Sequence, residues 1–309
     1  MSLPRVLADL PVSQTVLDLL GGLVELVPWD AAPGRVDAVY TYGHPPVGAE
    51  LMDRFPDLKV ISNFGVGVDH IDVRAAAERR IPVGNTPGIL DGATADLAFA
   101  LLLAAGRRVV EGDRYARGPA FTHYDPSFML GREVHGSTIG IFGMGRIGRQ
   151  VAKRANGFGM KVLYHNRNRS DEAEIVLGAR YAPKDELLAT ADHVVLTLPL
   201  TPDTRGFIGA AELALMKPTA TLVNVARGAV VDKDALAVAL AARRLFAAAL
   251  DVTDPEPLPR DHPLLKLDNV VITPHLGSAT EETRRRMAEL SVQNLFAGLA
   301  GKPLMFSVT

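Results

Sequence analysis

The chain has 309 residues, 48% of them hydrophobic, and a formal net charge of −2, which is long enough for two domains with their own cores. That charge balance gives no general attraction to nucleic acid or to an anionic membrane, and the absence of cysteine excludes disulfides, thiol nucleophiles and thiolate metal sites. The start, MSLPRVLADLPVSQTV, lacks a basic region followed by an apolar core, and no uninterrupted apolar run reaches membrane-spanning length, so a cytoplasmic protein is expected.

Residues 1–90 alternate between short apolar runs and helical patterns. The runs are Val24–Val27, Val36–Tyr40, Lys59–Ile61 and Pro82–Gly84; the helical patterns are Ser13–Leu20, Gly48–Arg54 and Asp72–Arg80. Such alternation predicts a parallel sheet with helices on its faces. The segment Asn63–Asp69, just past one strand end, fits two descriptions: a cradle of backbone N–H groups for an anion, or a plain strand-to-helix turn. From Asp91 to about Arg117 the pattern predicts one long helix, too apolar in its middle to be solvated and therefore buried between domains or against another subunit. Residues 118–137, with Phe121, His123, Tyr124 and Phe128, lack a period and are expected to be a loop.

The next stretch, 138–169, organises the chain. A buried-type strand, Thr138–Phe142, leads into Gly143-Met144-Gly145-Arg146-Ile147-Gly148, then a helix to about Gly157 and a second strand, Lys161–Tyr164. In this G-x-G-x-x-G spacing the first glycine makes the tight turn, the second lets backbone approach a pyrophosphate, and the third lets helix pack closely on strand. The placement between strand and helix predicts a dinucleotide site. An NAD site of this kind carries Asp or Glu about 20 residues on, bonding the ribose 2′-hydroxyl; this chain has His165-Asn166-Arg167-Asn168-Arg169-Ser170 instead. Guanidinium groups grip phosphate through paired N–H donors, so NADP(H) is expected, with Asn166 and Arg167 nearest its 2′-phosphate and Arg169 a second cation. The alternative is a solvated basic loop.

Strand-like runs then recur at Val194–Leu198, Thr221–Val225, Ala247–Val252 and Val270–Thr273, separated by helical patterns at Pro183–Thr190, Ala210–Met216 and Lys233–Arg243. These predict a second doubly wound sheet. The final helical pattern, Thr280 to about Leu299, begins with acidic residues, which suits a helix N-terminus, and is expected to return to the first domain.

Hydride transfer to a carbonyl needs a cation, a proton donor and a group that keeps the donor in its acidic form. Three consecutive strand ends of the second sheet carry Arg227, Glu256 and His275. Taken singly, each has an ordinary explanation: a surface ion pair, a solvated carboxylate in a Pro-rich turn, a packed histidine. Together they place one cation, one carboxylate and one imidazole at a dinucleotide-binding edge.

The segments GMGRIG, NVARG, LDVTDPEPLPRDHPLLKLDNVVITPHLGS, and the stretch from Asn63 to Asn85 with the NTPGILDGATADLAFALLLAAGRR that follows it resemble the D-isomer-specific 2-hydroxyacid dehydrogenase family over nearly the whole chain. The basic loop and the tail Thr280-Glu281-Glu282-Thr283-Arg284 look most like its NADPH-dependent glyoxylate/hydroxypyruvate reductases. The resemblance implies two doubly wound parallel-sheet α/β domains with a cleft between them: a flavodoxin-like substrate domain, 1–97 plus 279–309, and a Rossmann cofactor domain, 98–278. It makes Arg227 the substrate-binding and polarising cation, His275 the acid/base, and Glu256 its partner, an opposite charge favouring the imidazolium. Val66 and Gly67 match backbone amides that hold the substrate carboxylate. Thr94 matches a cofactor contact, and Pro199, Thr204, Ala226 and Asp251 lie where relatives line nicotinamide and ribose. Thr253 departs from the common Phe, and Phe121 stands where several relatives have Trp reaching a partner's active site. The implied activity is NADPH-dependent reduction of glyoxylate, hydroxypyruvate or another small 2-oxo acid to the 2-hydroxy acid by a homodimer. A 2-ketoaldonate reductase and a dinucleotide-sensing, corepressor-like protein remain as alternatives. An NAD-linked phosphoglycerate dehydrogenase would want the missing acidic ribose contact, and formate dehydrogenases carry Gln where Glu256 stands.

Overall fold

In the computed structural model, which describes residues 2–32 and 34–309, the alternating pattern resolves into two parallel sheets in two units. The smaller unit is Met1–Leu90 with Ala279–Thr309, and the larger is Asp91–Ser278. The junction expected at 97/98 falls inside a helix that starts at Asp91. A continuous helix moves as one body, so the division lies at its start.

The smaller unit runs β1 (Arg5–Ala8), α1 (Gln14–Leu20), β2 (Glu25–Pro28), β3 (Ala38–Thr41), α2 (Ala49–Arg54), β4 (Val60–Asn63), α3 (Val73–Glu78) and β5 (Val83–Gly84). The sheet order is β2-β1-β3-β4-β5, all parallel. β1 escaped the sequence pattern because only Val6 and Leu7 are buried within it. Asp72 caps α3 by accepting from the Ala75 N–H at 2.9 Å, a standard N-cap bond.

The larger unit opens with α4 (Asp91–Gly106) and α5 (Val109–Ala116). The single helix expected over 91–117 is therefore two. Arg108 adopts a left-handed φ of 56°, and the Gly106 carbonyl accepts from Arg132 N at 2.7 Å instead of continuing the helical ladder. The apolar α4 finds its cover within its own unit, on α6, β10 and β11. Then follow β6 (Thr138–Phe142), α6 (Arg146–Gly157), β7 (Lys161–His165), α7 (Asp171–Leu177), β8 (Arg180–Tyr181), α8 (Lys184–Thr190), β9 (His193–Leu196), α9 (Ala210–Leu215), β10 (Thr221–Asn224), α10 (Lys233–Ala241), β11 (Ala247–Leu250) and β12 (Val270–Ile272). Neither α7 nor β8 shows in the sequence pattern. Ser170 caps α7 through the Ala173 N–H at 3.3 Å, and Asp171, Glu172 and Glu174 occupy its first turn, a favourable arrangement for the helix dipole.

The parallel order β12-β11-β10-β9-β6-β7-β8 is the doubly wound arrangement, reversing direction between β6 and β9. Alternate residues along its strands feed two cores. Phe142, Leu163, Leu196 and Leu222 face one side, where Leu187, Leu213 and Leu236 pack. Ile141, Tyr164, Val195 and Val223 face the other, with Ala98, Leu102, Val151 and Ala155. Both faces are covered, which explains why the strands read as near-continuous apolar runs.

The last helix is α11 (Glu281–Leu299), capped by Thr280 through the Thr283 N–H at 3.1 Å. It packs on α1 and β4 of the smaller unit. Ser62 Oγ donates to the Ser291 carbonyl at 2.7 Å, Tyr40 Oη and Ser291 Oγ are 2.7 Å apart, and Asn294 Nδ2 donates to the Asn85 carbonyl at 3.1 Å. Among the described residues no helix is long and apolar enough to cross a membrane.

Candidate active site

Because every strand of the larger sheet is parallel, the segments that follow them leave from one edge. Gly143–Gly148 follows β6, Asn166 follows β7, Pro199 and Thr204 follow β9, Ala226 and Arg227 follow β10, Asp251 and Glu256 follow β11, and His275 follows β12. At such carboxyl edges, where strand order reverses, open α/β sheets bind ligands.

The glycine loop has the geometry its spacing predicts. Gly143 takes a φ of +98° with the Thr197 backbone about where a side chain would start, at 2.9 Å. A Cβ on Gly148 would lie 2.1 Å from the Gly143 carbonyl oxygen, so any side chain there would force loop and helix apart. Gly145 caps α6, and a Cβ on it would meet no atom within 4 Å. The loop therefore presents bare backbone and a helix N-terminus to open space, which fits a pyrophosphate. Two side chains outside the motif hold it. Asn166 Oδ1 accepts from Met144 N at 2.7 Å, and Thr197 Oγ1 donates to the Gly143 carbonyl at 2.7 Å. Arg146 is exposed, and Ile147 packs on the core beneath.

In the basic loop the three expected contacts have different situations. Asn166 is engaged with the glycine loop. Arg169 spans both carboxylate oxygens of Glu174, at 3.0 and 2.6 Å. Arg167 is exposed and makes no ion pair among the described residues. Further along, Thr204 Oγ1 donates to the Pro199 carbonyl at 2.7 Å and accepts from Thr201 N at 2.8 Å, closing the turn after β9.

The chemistry-bearing residues come together on three neighbouring strand ends. His275 Nδ1 lies 2.8 Å from Glu256 Oε1. A carboxylate only accepts, so Nδ1 carries its hydrogen toward Glu256, and Nε2 is the ring atom directed away from it. The His275 backbone is left-handed, φ 56°, a conformation costing a non-glycine residue on the order of 1 kcal/mol. Asp251 supplies the restraint. Its buried carboxylate accepts from Thr273 Oγ1 at 2.6 Å, Leu276 N at 2.7 Å and Gly277 N at 2.8 Å, and its carbonyl accepts from His275 N at 2.9 Å. Thr94, in α4, packs beside Gly277. Arg227 is set by a similar device. The buried Asn224 accepts from Ala226 N at 3.0 Å and donates to the Arg227 carbonyl at 2.9 Å, while Arg227 Nη1 donates to the Ala226 carbonyl at 2.9 Å.

Val66 and Gly67 belong to the smaller unit. Their carbonyls accept from Asn85 Nδ2 and Asn63 Nδ2, both at 2.9 Å, and Asn63 is in turn held by Thr41 Oγ1 at 2.7 Å. Sequence reasoning missed Asn63, Asn85, Asn224 and Thr197 as the groups that fix these loops. The available signal was a polar residue ending or directly following an otherwise apolar strand, where burial demands a hydrogen-bond partner.

Comparison with known proteins agrees with this geometry. The model of the D-isomer specific 2-hydroxyacid dehydrogenase NAD binding domain matches residues 99–277. A glyoxylate reductase of Korarchaeum cryptofilum is 45% identical over 311 residues, covering 97% of this chain and 94% of its own. Among solved structures, the TT0316 protein of Thermus thermophilus superposes with a TM-score of 0.90 at 46% identity, over 99% of this chain and 100% of that one. An NADPH-dependent glyoxylate/hydroxypyruvate reductase from Sinorhizobium meliloti, solved with NADP and malonate, also gives 0.90, at 33% identity, over 100% and 97%. The glycine loop, the paired Glu256 and His275 and these similarities across nearly the full length lead to one conclusion: the chain belongs to the D-isomer specific 2-hydroxyacid dehydrogenase family of oxidoreductases, with a NAD(P)-binding domain as its larger unit.

Proposed function

We propose that the chain reduces small 2-oxo acids, glyoxylate and hydroxypyruvate first, to the 2-hydroxy acids with NADPH. The observation that carries this reading is the 2.8 Å pairing of His275 with Glu256 on the same sheet edge as Arg227 and the glycine loop. The fit of the dinucleotide rests on the bare cradle at Gly145. Gly143–Gly148 would take its pyrophosphate, Arg167 the 2′-phosphate, and Thr94, Pro199, Thr204, Ala226 and Asp251 the remainder of its contacts. When bound, the reduced nicotinamide supplies the hydride for carbon 2 of the oxo acid. His275, protonated on Nε2, gives that proton to the carbonyl oxygen as charge builds there, while Glu256 holds the ring through Nδ1. Arg227 balances the substrate carboxylate and the growing oxyanion. The reading extends to a homodimer working in the cytoplasm.

The experiment is a panel of 2-oxo acids, 2-ketogluconate included, followed by nicotinamide absorbance with NADPH and NADH in turn. Glyoxylate and hydroxypyruvate turning over with NADPH is the expected result, and in His275→Ala the rate falls by about 10²–10⁴ while cofactor binding is retained. Preference for 2-ketogluconate moves the substrate assignment, preference for NADH removes the cofactor assignment, and binding without turnover of any acid makes the protein a sensor.

A further inference from the structure

The basic loop contains two arginines, and the structure commits one of them elsewhere. Glu174, in the first turn of α7, takes Arg169 through both carboxylate oxygens. Its own position is fixed from below: Tyr164 Oη donates to Glu174 Oε1 at 2.7 Å and accepts from Ser170 N at 2.8 Å, and Tyr164 is fully buried. The Arg169 guanidinium also lies 5.6 Å from the centre of the Tyr181 ring. Arg169 and Tyr164 hold the Glu174 carboxyl down to about 2, so it is ionised at neutral pH. Glu172, in the same turn, pairs with Arg149, whose Nη2 reaches Ser170 Oγ at 3.3 Å. The acids that suit the α7 dipole thus also draw off cations around the loop, and Arg167 is left uncommitted.

We infer that Glu174 is a specificity-determining residue that limits the preference for a 2′-phosphorylated cofactor by withholding Arg169, leaving Arg167 as the cation for that phosphate. The inference rests on the NADPH reading above. A dianionic phosphate and the Glu174 carboxylate compete for one guanidinium, and the carboxylate is already in place, bidentate and anchored by a buried tyrosine. Neutralising it while keeping its shape releases Arg169 to the phosphate.

The test measures dissociation constants for 2′,5′-ADP and 5′-ADP at one salt concentration and takes their ratio, which isolates the 2′-phosphate. Wild-type protein is expected to favour 2′,5′-ADP; if it does not, the NADPH reading fails. The change on substitution scores the role of Glu174 separately. Glu174→Gln should raise the ratio about three- to fivefold, the worth of one solvent-exposed ion pair, and adding Arg169→Gln should return it to the wild-type value. An unchanged ratio in Glu174→Gln overturns the inference. So does a gain that survives in the double variant, which would mean direct repulsion by Glu174, or a double variant below wild type, which would mean that Arg169 already contacts the phosphate. Should Glu174→Gln fold poorly, Tyr164→Phe loosens the same carboxylate and is expected to move the ratio the same way by a smaller factor.

Discussion

The loops at 143–148 and 273–277 leave the same edge of one sheet, from β6 and from β12, but are built on opposite principles. The first is shaped by what is missing: side chains at Gly143 and Gly148 would collide with backbone 2.9 and 2.1 Å away. The second is shaped by what is supplied, a carboxylate from the adjacent strand that gathers three donors and holds His275 at a left-handed φ. A requirement for missing atoms is written in a short run of sequence. A requirement for a carboxylate from another strand appears only when β11 and β12 lie side by side.

If the two loops serve separable ends, damage to them should separate as well. Asp251→Ala strands the Thr273 hydroxyl and two backbone N–H groups, at about 1–3 kcal/mol for each buried donor left unpaired, and lets His275 drift. A displacement of about 1 Å costs roughly 10²-fold in rate, so kcat should fall by about that factor while the cofactor dissociation constant changes far less. A cofactor constant that rises as steeply as kcat falls would make Asp251 chiefly a ribose contact, as the resemblance alone implied. Gly148→Ala should do the reverse. Opening the loop by overpacking costs about 1–3 kcal/mol, so cofactor affinity should drop about tenfold, with kcat at saturation nearly kept. Equal losses in both parameters would merge the two loops into one mechanical unit.

A smaller effect tests an anchor of a third kind. His193, fully buried, directs Nε2 to the Glu133 carbonyl at 3.1 Å and Nδ1 to the Thr221 hydroxyl, tying the end of the 118–137 loop to the sheet. A carbonyl only accepts, so Nε2 carries the hydrogen and the neutral ring is satisfied. Burial lowers its pKa from the ordinary 6.5. The unfolded chain therefore binds the proton first, and the stability His193 contributes is complete above pH 6.5 and is lost as pH falls below it. The loss can be no steeper than about 1.4 kcal/mol per pH unit, the limit for one proton. Chemical denaturation between pH 7.5 and 5 should give a shallower decline for His193→Gln than for wild type; parallel declines would assign the acid sensitivity to other groups.

Much of the molecule was legible in the chain itself. Apolar runs buried on both faces gave most of the strands, the spacing of Gly143, Gly145 and Gly148 placed the tight turn between β6 and α6, and Arg227, Glu256 and His275 stood after successive runs. Once those strands are parallel, their ends must share an edge. What escaped was set by partners distant in sequence. β1 buries only Val6 and Leu7, and the two residues of β8 include no buried one. The break at Arg108 depends on Arg132 meeting the end of α4, and the cover over α4 is the sheet of its own unit. The basic loop shows the limit most plainly. Asn166 and Arg167 read as the nearest contacts for one phosphate and Arg169 as a second cation, because a sequence displays charge without showing where it is spent. Only the folding of α7 against β7 put Tyr164 beneath Glu174 and Glu174 across Arg169. The order of residues determined which chemistry was present. The packing of elements decided which groups were free to perform it, since hydrogen bonds and ion pairs form between neighbours in space, whatever their separation along the chain.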